Sequence, residues 1–521
     1  MPINPKRKYS VTRKMPELRW VQAAMLCGLV TAALLVTASS ARAADRIYWS
    51  NLYGNVISYT NLDGSGGGDL PINPATLDGP MGLAIDTAAS KIYWSNYGFN
   101  VGGNGTTIGV ANLDGSHAQV LPITGGLVMG PHGVAIDSAA GKIYWANHDS
   151  NTGNSWIGYA NLDGSNGGIL NPGSADMEEP RGLAIDPAAG KIYWANWFGN
   201  TISFANLNGS GGANLNTGGA TINNPEGVAL DRTGGRLYYG NFSSADRIAY
   251  INLDGSGSAN LDTSPVTPQR PHGVAIDPVA GRIYWPNFDA NTISFANLGG
   301  GGGGDLPTSG ALGPDLPVLL EAPVGARRPA ISRAPGRGST LKCTDDTWAP
   351  DLFASLLYRA PQSFSYQWSE KGHVIARATS RSIPARSVGI YRCQVTAENV
   401  AGAHSQTSPR YAFFKIGKPK LDKNQGTARL AVTVPPGRET LTLSGKGVVK
   451  QPAGHRGRAS SALARRPRRR TVELLVKAKG KAKKRLNRTG KAKVKVHVTD
   501  TARGGSPDSQ TKTVKLKKTR R

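Results

Sequence analysis

Lys142-Ile143-Tyr144-Trp145-Ala146-Asn147, then Asn161-Leu162-Asp163-Gly164, then Pro180-Arg181-Gly182-Leu183-Ala184-Ile185-Asp186 is the stretch that decides the architecture of half this chain. Apolar and β-branched residues come in short runs separated by turn chemistry, which predicts strands rather than helices. Gly182 to Asp186 is nearly continuous in small apolar residues, as a strand buried on both faces should be. Lys142 to Trp145 is a second strand, the run into Asn161 a third, and the Ile169-Leu170 tail a fourth. Asp-Gly is expected to supply the positive φ angles of a tight hairpin, so consecutive strands are antiparallel neighbours.

The same pattern is written six times. The aromatic cores are Ile47-Tyr48-Trp49-Ser50-Asn51, Ile92 to Asn96, Ile143 to Asn147, Ile192 to Asn196, Leu237-Tyr238-Tyr239-Gly240-Asn241 and Ile283-Tyr284-Trp285-Pro286-Asn287. They recur every 45 to 51 residues, the period of one four-stranded propeller blade. Only five Pro-x-Gly lead-ins accompany them, at Pro80, Pro131, Pro180, Pro225 and Pro271, so the first blade lacks an inner strand. An open ring would leave unpaired edges. Gly313-Pro314-Asp315-Leu316-Pro317-Val318-Leu319-Leu320-Glu321 has the length and apolar content to close it. The Gly299 to Gly304 run is then part of the sixth blade, since Asn297 to Pro307 aligns without gaps on Asn61 to Pro71. A chain ending after Ala322 is expected to be as stable a propeller as a longer one.

These residues resemble the YWTD, or class B, repeats of low-density-lipoprotein-receptor-type six-bladed propellers. The resemblance covers about half the chain, residues 44–322. One departure is systematic: the Thr-Asp that follows Tyr-Trp in that family is here Ser, Ala, Gly or Pro followed by Asn, at Asn51, Asn96, Asn147, Asn196, Asn241 and Asn287. An amide keeps the hydrogen bonds of a carboxylate but not an ion pair.

With 521 residues, the chain divides by composition. Residues 1–43 hold a basic stretch, an apolar run from Val21 to Val36 and Ala41-Arg42-Ala43, the layout of a secretory signal peptide; an uncleaved anchor is the alternative. Leu26 before Cys27 is too large for a lipoprotein cleavage site. Residues 329–417 resemble a bacterial immunoglobulin-like domain of the kind found on secreted actinobacterial proteins, through Cys343, Trp368, Tyr391 and Cys393 in that order. That resemblance implies a disulfide between Cys343 and Cys393 joining two sheets, with the indole packed on it and the tyrosine hydroxyl anchoring a corner. Residues 418–521 alternate apolar and polar, as in Val494-Lys495-Val496-His497-Val498, and read as a second, small basic β-sandwich with an Arg-rich loop from Arg456 to Arg470. The fold class expected overall is all-β: a six-bladed propeller and two sandwiches.

The formal charge of +27 is uneven: the first 43 residues carry +6, the propeller −11, residues 308–417 +6 and the remainder +26. Outside a cell, such a basic tail implies anionic wall polymers as partners. No motif points to nucleic acid.

In a propeller the loop entering the inner strand and the loop joining strands two and three emerge on one face. Two rings are expected to converge there. The inner ring is the x of Pro-x-Gly: Met81, His132, Arg181, Glu226 and His272. The outer ring follows the blade Asn: Leu52, Tyr97, His148, Trp197, Phe242 and Phe288. Exposed aromatics around a mouth of His, Arg and Glu suit a glycan, a peptide or a protein, although an aromatic at a repeated position can also simply pack between blades. The opposite face, with its Asp-Gly and Asp-x-Ala-Ala-Gly-Lys turns, looks repetitive and bland. Streptogramin-lyase-type propellers and lactonases supply the catalytic alternative, with His132, His272, Arg181 and Glu226 as the acid/base set. Such metal-dependent lactonases, however, surround a divalent ion with several carboxylates, and the inner ring shows one. The reading is a secreted or wall-associated monomeric binding protein with no cofactor, no metal and no catalytic residues.

Overall fold

The computed structural model describes residues 45–98, 102–103, 105–218, 222–243, 247–308, 310–334, 339–345, 348–436, 440–453 and 470–519. The expected signal sequence, Cys27 and nearly all of the Arg-rich loop lie outside them. The regular structure of the described residues is nearly all strand, and no described helix is long and apolar enough to cross a membrane.

Six small antiparallel sheets form the propeller. Blade 3 is representative: Pro131–Asp137, Lys142–His148, Ser155–Asn161 and Gly168–Ile169 lie side by side in that order. Inner strands such as Pro80–Asp86 and Pro131–Asp137 are buried at every position, which is why they lack the alternation of the strands outside them. Between blades the aromatic pairs fill the core; Trp94, Trp145, Trp194 and Trp285 are fully buried.

Ring closure runs as the lead-in count required. Pro314–Leu320 is buried throughout and pairs antiparallel with Arg46–Asn51, supplying the inner strand of blade 1 from some 265 residues away. Gly304–Asp305 pairs with Thr292–Asn297, so the glycine run does complete blade 6.

The Asp-Gly turns differ from expectation. Gly164 has φ +86°, but Asp163 does not adopt a positive φ; its carboxylate accepts the Ser165 amide at 2.9 Å instead. The same Asp-to-Ser bond occurs at Asp63, Asp114 and Asp254. The acidic side chain replaces a backbone partner, so only glycine has to enter the left-handed region.

Beyond the propeller a sandwich is stapled by the Cys343–Cys393 disulfide over a fully buried Trp368, and Tyr391 Oη donates to the Ser387 carbonyl at 2.9 Å. Its larger sheet does not stop at residue 417. Arg410–Phe413 pairs in parallel with Gly505–Lys517, so one nine-stranded sheet runs from this sandwich into the C-terminal module. Asp508, 1% exposed, clamps the joint: Arg333 forks onto both its oxygens at 2.6–3.0 Å and Tyr411 Oη donates at 2.7 Å. The module also carries a helix, Gly480–Thr489, that the strand reading missed; Leu486 is its buried contact, and Gly490 in the left-handed region ends it.

Candidate functional site

The two rings do lie on one face, held by six equivalent hydrogen bonds. The residue before each lead-in proline adopts a positive φ, between 47° and 62°, at Gly79, Gly130, Glu179, Asn224, Arg270 and Gly313. Its carbonyl accepts the amide of the outer-ring residue: Leu52, Tyr97, His148, Trp197, Phe242 and Phe288 donate at 3.0–3.2 Å. The blade asparagines stand behind this geometry. Asn196 Oδ1 accepts from the Glu178 amide and from Trp194 Nε1, while its Nδ2 donates to Thr201 and Ser203. A neutral amide does this at zero exposure without burying a charge.

The inner ring has a sixth member that the lead-in reading left out. Pro314 occupies the lead-in position of blade 1, so Asp315 is its x, fully buried and 3.2 Å from His272 Nδ1. The signal was present in Pro314 itself. Glu179 is also in the site, because its positive φ turns its side chain toward Arg181. The ring therefore offers three carboxylates rather than one.

Arg181 Nη1 lies 2.6 Å from Glu226 Oε1, and the same guanidinium binds Glu179 through Nε at 2.9 Å and through Nη2. Burial pushes the Glu226 carboxyl up, and Arg181 opposes that. His132 is 1% exposed; burial, with Arg181 nearby, holds its imidazole well below the usual histidine range. Its Nδ1 bonds the Gly130 carbonyl at 2.9 Å, so the neutral ring presents Nε2 as an acceptor, 4.0 Å from a Glu179 oxygen. Four buried polar atoms of this cluster have no hydrogen-bond partner: His132 Nε2, His272 Nε2, Glu226 Oε2 and Trp197 Nε1. Native interiors rarely leave such atoms unpaired.

The mouth is not the open aromatic rim that the sequence suggested. The outer ring leans inward and roofs the inner one. Tyr97 sits 5.0 Å from His132, Phe242 and Phe288 lie 4.8 and 4.1 Å from His272, and Arg181 stands over Trp197 at 4.5 Å. Tyr97, His148, Trp197 and Phe242 are part-buried, and Phe288 is buried, because the amide-to-carbonyl bonds draw their backbones toward the axis. Met81 is buried as well. The exposed aromatics are one residue further on: Tyr53 at 58% and Phe198 at 59%, the latter against Trp197 at 4.7 Å.

The other end of the channel is far from bland. Below the rings, the glycines of Pro-x-Gly crowd the axis; a Cβ on Gly182 would lie 2.4 Å from Gly227 Cα. Leu316, which takes the glycine position in the closing strand, fills what space remains. Beneath it, residues 348–360 enter from the disulfide-stapled sandwich. Phe353–Ser355 packs on the inner strands of blades 3 to 6, Ser355 Oγ donates to the Leu230 carbonyl at 2.8 Å, and Leu357–Tyr358 adds in parallel to the closing strand. Asp351, raised by burial, accepts from Thr87 Oγ1 at 2.6 Å. The ring is thus completed by chain well past Ala322.

No protein-family model matches the chain. Two curated proteins are similar over short stretches: mouse low-density lipoprotein receptor-related protein 5, 32% identical over 101 residues, and protein cueball of Drosophila erecta, 32% over 100 residues. Each match covers 19% of this chain, and 6% and 15% of the relative's length respectively. Among solved structures, a chain of a nidogen/laminin complex aligns at TM-score 0.43 and 17% identity, covering 53% of this chain and 98% of its own. TolB from Acinetobacter baumannii aligns at 0.40 and 15%, covering 59% and 74%. With the sixfold repeat, the receptor match supports a propeller of YWTD type.

Proposed function

We propose that this protein, built on a YWTD-type propeller, is an exported recognition protein that captures a segment of a partner protein or peptide at the ringed face. One observation carries the reading: His132 Nε2, His272 Nε2, Glu226 Oε2 and Trp197 Nε1, all of the ringed face, are buried without a hydrogen-bond partner. A peptide, rich in amide donors and carbonyl acceptors, suits that set; a glycan hydroxyl is the competing occupant. Access would require the roof of Trp197, Phe242 and Phe288 to part, with Tyr53 and Phe198 as the first apolar contacts. The disulfide-stapled sandwich then serves as an immunoglobulin-like spacer and the basic C-terminal module as an anchor on anionic wall polymers.

The test is a screen of the full chain against peptide libraries, secreted proteins and glycan arrays, repeated with Phe198→Ala, Trp197→Ala and His132→Gln. Binding should weaken by about 1–3 kcal/mol for each aromatic change. If the histidine change abolishes turnover of some substrate while its binding survives, the face is catalytic and this reading fails. If the aromatic changes unfold the propeller, the roof is packing alone and the reading fails equally.

A further inference from the structure

The seam between the disulfide-stapled sandwich and the C-terminal module carries a cleft away from the ringed face. Because Arg410–Phe413 joins Gly505–Lys517 in one sheet, four arginines from distant segments are brought to one cleft of about 570 Å³: Arg328 ahead of the sandwich, Arg392 and Arg410 on its strands, and Arg503 in the turn between the last two strands. All four are exposed, and no carboxylate lines the cleft. Two other arginines of this region are paired: Arg333 forks onto Asp508, and Arg381 binds Asp345. Among the described residues none of the four cleft arginines has an ion-pair partner, so their mutual repulsion is relieved only by an external anion.

The cleft also has direction. A neighbouring cavity of about 1030 Å³ shares Arg392, Thr407 and Arg410 with it and extends along the outer face of the sheet to Lys371 and His373. Ser405 and Thr407 line the same cleft. Guanidinium forks with flanking hydroxyls match phosphate oxygens. No Phe, Tyr or Trp lines either cavity, so no platform for stacking bases accompanies the charge.

We propose that this groove binds a linear, base-free polymer of phosphate groups, with Arg328, Arg392, Arg410 and Arg503 as its principal contacts. The inference deepens the anchoring half of the proposed function, placing a shaped site at the seam rather than leaving anchorage to the diffuse charge of the tail.

The experiment uses the full chain and two probes: long-chain inorganic polyphosphate, and poly-dT as a base-bearing competitor. Replacing the four arginines by Gln should weaken polyphosphate binding at least about tenfold and lower the slope of log affinity against log salt by about 3, at about 0.7–0.9 per contact. A control removing the same charge from the exposed face of the last two strands, Lys491, Lys493, Lys495 and Lys515 to Gln, should cost less than about threefold. Equal losses in the two variants would mean an unspecific field and overturn the groove while leaving tail anchoring intact. Tighter binding of poly-dT than of polyphosphate would overturn the base-free assignment. Should the fourfold variant melt early, Arg392→Gln with Arg503→Gln carries the same expectation at half the slope change.

Discussion

The two ends of the propeller channel are built on the same six inner strands and treat burial in opposite ways. At the end where those strands finish, the chain brings its own ligand: Phe353, Ala354, Leu356, Leu357 and Tyr358 pack into the opening, and their backbone joins the closing strand. At the end where the strands begin, His132, Glu226, His272 and Asp315 are buried, and Arg181 part-buried, under an aromatic roof with several polar atoms unpartnered. A ring scaffold does not itself determine what fills its axis. Apolar filling makes one end structural, and unsatisfied polar groups make the other the candidate site.

Cutting the chain sharpens that contrast most. A chain ending before Pro314 should lose its cooperative melt altogether, since seven fully buried residues and the pairing of blade 1 go with it. A chain ending after Ala322 should still melt cooperatively, but earlier than the full chain, because burying each large apolar side chain of the insert is worth about 1.5–3 kcal/mol. Equal melting of that shorter chain and the full one would show that the insert does not support the ring.

Next in size is a single truncation within the insert. Leu357→Ala, at a fully buried position, should cost about 2–5 kcal/mol by chemical denaturation. Trp197→Ala at the opposite end should cost clearly less, because Trp197 is only part-buried. If the two cost the same, the ends do not differ in the way described.

A further pH effect arises at the insert end. Burial, with a hydrogen bond to Asp277, raises the Glu321 carboxyl to about 9. The folded chain therefore holds this proton more tightly than the unfolded chain, whose carboxyl titrates near 4.5. The stability so gained is full below that lower value and is lost as pH rises toward 9. Melting temperature should fall across this window in the wild-type chain, and Glu321→Gln should flatten the fall. An unchanged profile in the variant would assign the effect elsewhere.

The smallest expected change is at the disulfide-stapled sandwich as seen by the propeller. Reduction should destabilise the sandwich by about 2–5 kcal/mol while shifting the propeller transition only slightly. A matching loss in both would mean that the insert transmits sandwich stability directly into the channel.

Much of this was legible in the residues. Alternation within strands and a repeat every 45 to 51 residues are local patterns, and they determined the blades, the missing inner strand and its replacement by Pro314 to Leu320. The positions of both rings followed from the same repeat, whereas the Cys343–Cys393 pair over Trp368 followed from the resemblance of residues 329–417 to an immunoglobulin-like domain. Tertiary structure decided the rest. Residues 348–360 follow no repeat, and their partners Thr87 and Leu230 lie 264 and 125 residues away, so nothing local marks them as a filler of the channel. The inward lean of the roof, the entry of Glu179 into the site and the continuation of one sheet across two modules likewise depend on which distant surfaces meet. Periodicity records which side of a strand is buried, and it carries no information about what buries it.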